Sequence, residues 1–467
     1  MRLSKLKTHH LKLITQNSSL YMKLWQKDFS THKAVEHFTV GHDREMDLRL
    51  APFDILGSLA HIKMLLEVNL LEQAEYRALS AALRDLYKKT EQDAFIIEEG
   101  VEDVHSQVEF MLTHALGDMG KRIHSARSRN DQVLVDLKLY FRAEIKQITE
   151  GVVVLFTTLQ KQSERYKNVL IPGYTHLQVA MPSSFGLWFG AYAETLTDDL
   201  QLLQAVFKIV NQNPLGSAAG YGSSLPINRK RTTALLGFED VNYNVVHAQM
   251  GRGKTEHFVT FALAALGHTL SKMAMDVCLY INQNFDFVSL PPELTTGSSI
   301  MPHKKNPDVF ELLRAKANRL QSLPTEIALL TSSLPSGYHR DFQLMKEIVF
   351  PALDDVKSCL TMSEFMMSRL IIKKNVLEDP KYQYLFTVEE VNALVLKGVP
   401  FRDAYKKIGQ DVDNKTFTTD KKVHHTHEGS ISNLCNPEIK TKMKRILRGF
   451  GFEKVDKKLA ALIMENL

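Results

Sequence analysis

The sequence predicts an all-α protein, a three-domain subunit with a central bundle of five long helices. Three observations predict it. Apolar residues recur every three or four positions over unusually long segments, which is the helical and not the strand period. The longest of these, 131–166, contains no proline and a single glycine, Gly151. The residues that break helices gather instead in three connecting stretches, 173–182, 213–226 and 291–307. At 467 residues the chain is long enough for roughly three domains of about 150 residues.

Taken in order, residues 1–21 hold four Lys/Arg, two His and no acidic residue. This is a weak likeness to a transit peptide. Met22-Lys-Leu-Trp reads as the natural start, with 1–21 an upstream extension expected to be disordered. Residues 22–126 form an N-terminal helical domain of shorter helices, among them 55–67 and 72–90. Residues 127–374 form the bundle. Its first helix carries Leu134, Leu137, Phe141, Ile145, Ile148, Val152, Leu155 and Leu159 on one stripe and would be on the order of 50 Å long. The second carries Phe185, Trp188, Tyr192, Leu196, Leu203, Phe207 and Val210, and the third Phe258, Phe261, Ala265, Met273, Val277 and Tyr280. Helices over about 307–332 and 351–371 complete the five. Residues 375–467 are more charged and less periodic, and form a small C-terminal domain. Helices this long need a shared core, which predicts completion of the bundle by other subunits.

Composition narrows the function. The chain is 44% hydrophobic and 24% charged, ordinary globular usage that excludes wholesale disorder. A net charge of +5 suits an anionic small substrate as well as nucleic acid and decides little. Cys278, Cys359 and Cys435 are isolated, with no CxxC pair, which points to a reducing, cytoplasmic setting. The most apolar run, Phe258 to Leu270, contains His268 and reads as a buried helix, not a membrane span.

The richest motif is Gly297-Ser-Ser-Ile-Met-Pro-His-Lys-Lys-Asn-Pro307. Its first half is a mobile Gly/Ser loop. Its second half is a helix start, with Asn306 able to cap, Pro307 at the first helical position and Asp308 in the first turn. A helix N-terminus beside Lys304 makes a positive field in which a serine loses its proton more easily. Two further patterns have bland readings. Ala248 to Thr255 fits a permissive phosphate-loop pattern but lacks the strand that should precede one. His424-His-Thr-His427 lacks a well-spaced fourth ligand and reads as a solvated loop, so no metal site is expected.

The 297–307 string closely resembles the catalytic loop of the fumarase/aspartase superfamily, in the form found in argininosuccinate lyases and their δ-crystallin relatives. Asp54 to His61 (DILGSLAH), Glu102-Asp-Val-His105, Ser128-Arg-Asn-Asp-Gln-Val133, Gly173-Tyr-Thr-His-Leu-Gln178 and Tyr338 to Lys346 (YHRDFQLMK) resemble further segments of that family, in order, from about Leu24 to about Gly409. The resemblance implies a cofactor-free β-elimination of argininosuccinate to arginine and fumarate. It assigns Ser298 as base, Lys304 as stabiliser of the dianionic intermediate, and His176 as acid, paired with Glu311. Such a pair would fix the tautomer of His176 and raise its pKa. By motif position Asn130, Thr175, Asn306, Tyr338, Gln343 and Lys346 contact substrate. Arg129 holds a carboxylate or is structural, and His105 stands behind the site. The resemblance also implies a homotetramer with each site built from three subunits, and no nucleic-acid or membrane partner. Other members of the superfamily, such as adenylosuccinate lyase and aspartase, or a non-catalytic crystallin, are the alternatives. The chain departs from the family pattern at Val179 and Met181, at His124-Ser-Ala126, and at Phe38-Thr-Val-Gly41, a shortened substrate loop that leaves room for altered specificity.

Overall fold

The computed structural model describes residues 32–465. The 1–21 extension and the start at Met22 lie outside the described residues. The chain is mostly helical. The first described helices are two short ones, α1 (Lys33–Val40) and α2 (Asp43–Asp47), followed by α3 (Ala51–Glu67), α4 (Gln73–Glu91) and α5 (Val104–Leu116). The bundle begins with α6 (Arg129–Arg165). A hairpin of β1 (Leu170–Thr175) and β2 (Gln178–Ser184) leads into α7 (Phe185–Val210). Then come α8 (Lys254–Ile281), α9 (Asp308–Leu320), α10 (Leu323–Leu330) and α11 (Met345–Met367). Four helices end the chain, α12 (Thr387–Leu396), α13 (Phe401–Asp413), α14 (Asn436–Arg448) and α15 (Phe452–Met464).

Each long helix forms for a readable reason. Ser128 caps α6 and Asp131 accepts a hydrogen bond from the Ser128 N–H, a capping box that satisfies otherwise unpaired donors. The eight stripe residues of α6 are all buried, as are the seven of α7. At 37 residues α6 is about 55 Å long. It packs against α7 and α11, and α8 packs against α7, α9, α10 and α11. Gly267 permits the close α8–α9 approach, since a Cβ there would lie 2.8 Å from the Ala317 carbonyl oxygen. One continuous apolar core runs from Leu50 to Leu462, with a small separate cluster of Val391, Ala404 and Ile408 between α12 and α13. By length and composition α8 could cross a membrane, but 56% of its most apolar window is buried within the fold.

Four expectations are corrected. The 307–332 helix is two, α9 and α10, broken at Gln321–Ser322 just before Leu323-Pro324 opens α10. The fifth helix starts at Met345, not 351, and carries Pro351 inside it, where it forfeits one backbone bond. The α8 stripe is core only in part: Met273 and Val277 are buried, together with Val259, Leu263, Leu266 and Leu270, whereas Phe258, Ala265 and Tyr280 are half-buried and Phe261 is 57% exposed. The 173–182 stretch is not an irregular loop but the β1–β2 hairpin.

Candidate functional site

The start of α6 is cross-linked to several distant segments of the chain. Asp131, fully buried, accepts from the backbone N–H groups of Ser128, Gly216 and Ala218 at 2.9 Å each. Arg127, also buried, donates to Ser58 Oγ at 3.0 Å. Arg129 reaches across to α5. Its Nη1 lies 3.0 Å from Glu102 Oε2 and 3.2 Å from Asp103 Oδ2, and its Nη2 donates to Ser106 Oγ at 2.7 Å. Asp103 caps α5 by accepting from the Ser106 N–H at 2.8 Å. Asn130, next in the first turn, is half-buried.

The segment before α11 joins the same cluster. Arg340 Nη1 donates to the second oxygen of Glu102 at 3.0 Å, and its Nη2 to the Thr39 carbonyl at 2.8 Å. Gln343 Nε2 donates to the carbonyls of Thr39 and Val40 at 3.0 and 3.1 Å. The expected Phe38–Gly41 loop is instead the last turn of α1 and its Gly41 cap, fastened by two side chains of the Tyr338–Lys346 segment. Lys346 is 4% exposed, and its Nζ sits 2.5 Å from both Asp43 and Asp47. Burial pushes the Asp43 carboxyl up to about 6 although Lys346 opposes it. Tyr338 is 42% exposed and packs edge-on against Phe342.

His105 lies directly beneath. Its Nδ1 is 2.7 Å from Asp54 Oδ1 and 3.5 Å from Asp136 Oδ2, all three residues being buried. Burial alone would depress this imidazole, but the charge and hydrogen bond of Asp54, then the charge of Asp136, raise it to about 9. Asp136 is pushed well above the usual carboxylate range by burial and by the like charge of Asp54.

The groups assigned to the chemistry are arranged differently. Thr175 and His176 lie at the exposed tip of the hairpin. Thr175 pairs with Gln178, so His176 and Leu177 are the two turn residues, and both take positive φ, 54° and 59°. Positive φ at both positions is what a right-twisted two-residue hairpin turn demands. Tyr174 anchors the hairpin against Phe285 and Tyr382. The 297–307 loop is closed by a two-bond bridge between Thr296 and Asn306. Within it Ser298 Oγ accepts from the N–H groups of Ile300 and Met301 at 3.3 and 3.1 Å. Donors aimed at a hydroxyl oxygen favour its anionic form, which suits a serine acting as base. Asn306 does not cap α9. It spends its backbone on Thr296, and Pro307 occupies the cap position, so the expected Asn306 cap and Pro307 first-turn placement are both displaced by one residue. Lys304 and Glu311 are exposed. Among the described residues no hydrogen bond or ion pair joins any two of Ser298, His176, Lys304 and Glu311.

Sequence reasoning missed Asp43, Asp47, Asp54, Asp136 and the bridging role of Arg340. A signal existed for two of them. Asp54 and Asp136 stand in apolar helical runs, Phe53-Asp-Ile-Leu and Leu134-Val-Asp-Leu, where an ionisable residue must be paired. The first of the two discounted patterns borders the site, since Arg252 Nη2 donates to the Phe342 carbonyl at 2.9 Å. Gly251 to Thr255 is a helix–helix junction in which Arg252 and Glu256 form a buried ion pair at 2.8 Å. His425 pairs with Glu389 at 3.1 Å, an acidic partner the local sequence did not reveal.

Comparison with known proteins agrees with this architecture. The sequence profile of a lyase family matches residues 14–322. An argininosuccinate lyase of Bacteroides fragilis is 61% identical over 92% of this chain and 96% of its own length. One from Thermotoga neapolitana is 40% identical over 83% of this chain and 98% of its own length. Among solved structures, an EDDS lyase variant with bound fumarate superposes with a TM-score of 0.73 at 18% identity, covering 92% of this chain and 93% of that one. A class II fumarase from Schistosoma mansoni superposes at 0.69 and 14% identity, over 95% and 97%. The structural neighbours establish the fold, and the sequence relatives establish the lineage: the chain belongs to the argininosuccinate lyase family.

Proposed function

We propose that this chain is a lyase that splits argininosuccinate reversibly into L-arginine and fumarate, the last step of arginine biosynthesis, without a cofactor. The observation that carries this reading is 61% identity to an argininosuccinate lyase across nearly the whole of both chains. Relatives at 40% and 38% identity bear the same name, which leaves adenylosuccinate lyase and aspartase without comparable support.

Eliminating nitrogen beside a carboxylate requires a base for a weakly acidic C–H, an acid for the leaving nitrogen, and fixed positive charge for the dianion. Ser298 takes the proton, assisted by the two N–H groups aimed at its Oγ. Lys304 meets the charge that develops on the carboxylate. His176 protonates the leaving nitrogen, with Glu311 as its partner. Arg129, Asn130, Thr175, Asn306 and Tyr338 face the substrate. Gln343 and Lys346 shape the site from behind, because their donors are engaged with Thr39, Val40, Asp43 and Asp47.

The same reading makes the enzyme a homotetramer with sites shared between subunits. Two observations support it. Among the described residues no hydrogen bond or ion pair joins the hairpin tip to the 297–307 loop within one chain. The bundle helices leave Val154, Phe261, Leu312 and Leu329 more than half exposed, an apolar surface suited to a second copy. A cytoplasmic setting rests on the three free cysteines. The test is fumarate release, followed by ultraviolet absorbance, with argininosuccinate, adenylosuccinate and aspartate offered separately. Turnover of the first alone is expected. Preference for either of the others would overturn the assignment.

A further inference from the structure

We infer that Asp136 and Asp54 are positioning residues for the Arg129 arm, acting on it through His105. The inference rests on the proposed activity, because it concerns how that site is held.

Three ionisable side chains from three helices meet here: Asp54 of α3 (2% exposed), His105 of α5 (7%) and Asp136 of α6 (0%). Asp136 has no hydrogen-bond donor on either oxygen, and its cation partner is His105 Nδ1 at 3.5 Å. A buried carboxylate with no donor is costly unless a cation stands beside it. His105 supplies that cation, and its bond to Asp54 at 2.7 Å fixes the ring.

The position of the trio gives it a task. Asp136 lies two helical turns beyond Arg129 on the same face of α6. His105 follows Asp103 by two residues, and Asp103 is both the cap of α5 and a partner of Arg129. One imidazolium therefore ties the shaft of α6 to the start of α5, where Glu102, Asp103 and Ser106 receive the guanidinium. Its positive charge also lowers the Asp103 carboxyl, as does Arg129, against the effect of burial. The other charges facing the trio are Asp47 from α2, which acts on Asp136, Arg127, which acts on both Asp54 and Asp136, and His124 from the turn before α6. The three ligating atoms lie within 4.8 Å of one another, so a metal ion is the competing occupant. The direct His105–Asp54 bond favours the proton instead.

The experiment measures kcat and KM across pH for the wild-type tetramer and for Asp136→Asn, Asp54→Asn, His105→Gln and His105→Gln/Asp136→Asn, each also checked for melting temperature and for bound metal. Wild-type turnover is established first, so a dead wild type would refute the proposed activity and not this inference. The expected result is a rise in KM of about tenfold for Asp136→Asn with kcat within about threefold. The alkaline limb of kcat/KM should move down by about one pH unit or more, and the double variant should lose no more than His105→Gln. Should Asp136→Asn fail to fold, Asp54→Asn carries the same expectations. A lower melting temperature with an unmoved alkaline limb and an unchanged KM would show a merely structural role and overturn the inference. So would additive losses in the double variant, or one tightly held divalent metal per chain.

Discussion

Around the start of α6, charged side chains are satisfied within the chain: Arg129 by Glu102, Asp103 and Ser106, Arg340 by Glu102, Lys346 by Asp43 and Asp47. At the hairpin tip and in the 297–307 loop, His176 and Lys304 are exposed, and among the described residues Ser298 Oγ meets two N–H groups of its own loop. The first region is over-determined, with Lys346 and Asp47 buried and Arg129 half-buried, so its geometry is paid for by folding and is ready before substrate arrives. The second keeps its chemical groups at a surface turn and a Gly-Ser loop, where they stay free to meet substrate or another subunit. Mutations should therefore separate cleanly. Damage to the second region costs activity without stability, and damage to the first costs stability or affinity.

The largest expected effect is at the proposed base. Ser298→Ala should lose at least about 10³-fold in turnover with an unchanged melting temperature, as removal of an essential proton-transfer group does. Ser299→Ala should lose far less. A reversal of the two would move the assignment by one residue.

Two lysines sharpen the contrast. Lys346→Met removes the cation shared by half-buried Asp43 and buried Asp47, leaving Asp47 with the Val104 N–H at 3.2 Å, and should cost about 3–5 kcal/mol of stability, read from denaturant unfolding. Lys304→Met, at an exposed loop position, should shift stability by less than about 0.5 kcal/mol while abolishing most turnover. Equal stability losses would erase the distinction between the regions.

The smallest effect is a pH dependence of stability. Because His105 is raised to about 9 from an ordinary 6.5, the folded state binds a proton that the unfolded chain releases between those values. Its contribution is fully present below about pH 6.5 and is lost as pH rises through about 9. Lys138 acts in the opposite sense: burial lowers its amine to about 8, so stability is regained as pH rises beyond that. Subtracting the curve of His105→Gln from that of the wild type isolates the first term. A difference that does not shrink between pH 6.5 and 9.5 would refute the charged imidazole.

The fold was legible because long apolar stripes at helical spacing leave few other solutions, and the α6 and α7 stripes are buried residue for residue. The misses are local. Pro351 looked like a helix start, yet α11 begins before it and tolerates the lost bond. Phe261 looked like core, yet the buried face of α8 is a neighbouring one, because an all-round apolar helix does not announce its inner side. His176 stood out in the sequence as a candidate acid, but its place on a hairpin turn was not legible, since neither His nor Leu advertises positive φ. The partners of Lys346 and His105 were invisible because they come from α2, α3 and α6, far apart in sequence and joined only by packing.

Subunit complementation tests most directly whether the site is shared between chains. His176→Asn and Ser298→Ala, each inactive alone, are mixed under conditions where subunit exchange is verified, and fumarate release is measured. If the two residues of one site come from different chains, about a quarter of sites in randomly mixed tetramers draw both intact residues, and activity should approach a quarter of wild type. If they come from the same chain, every site carries one defect, and a verified mixture that stays inactive would contradict the account.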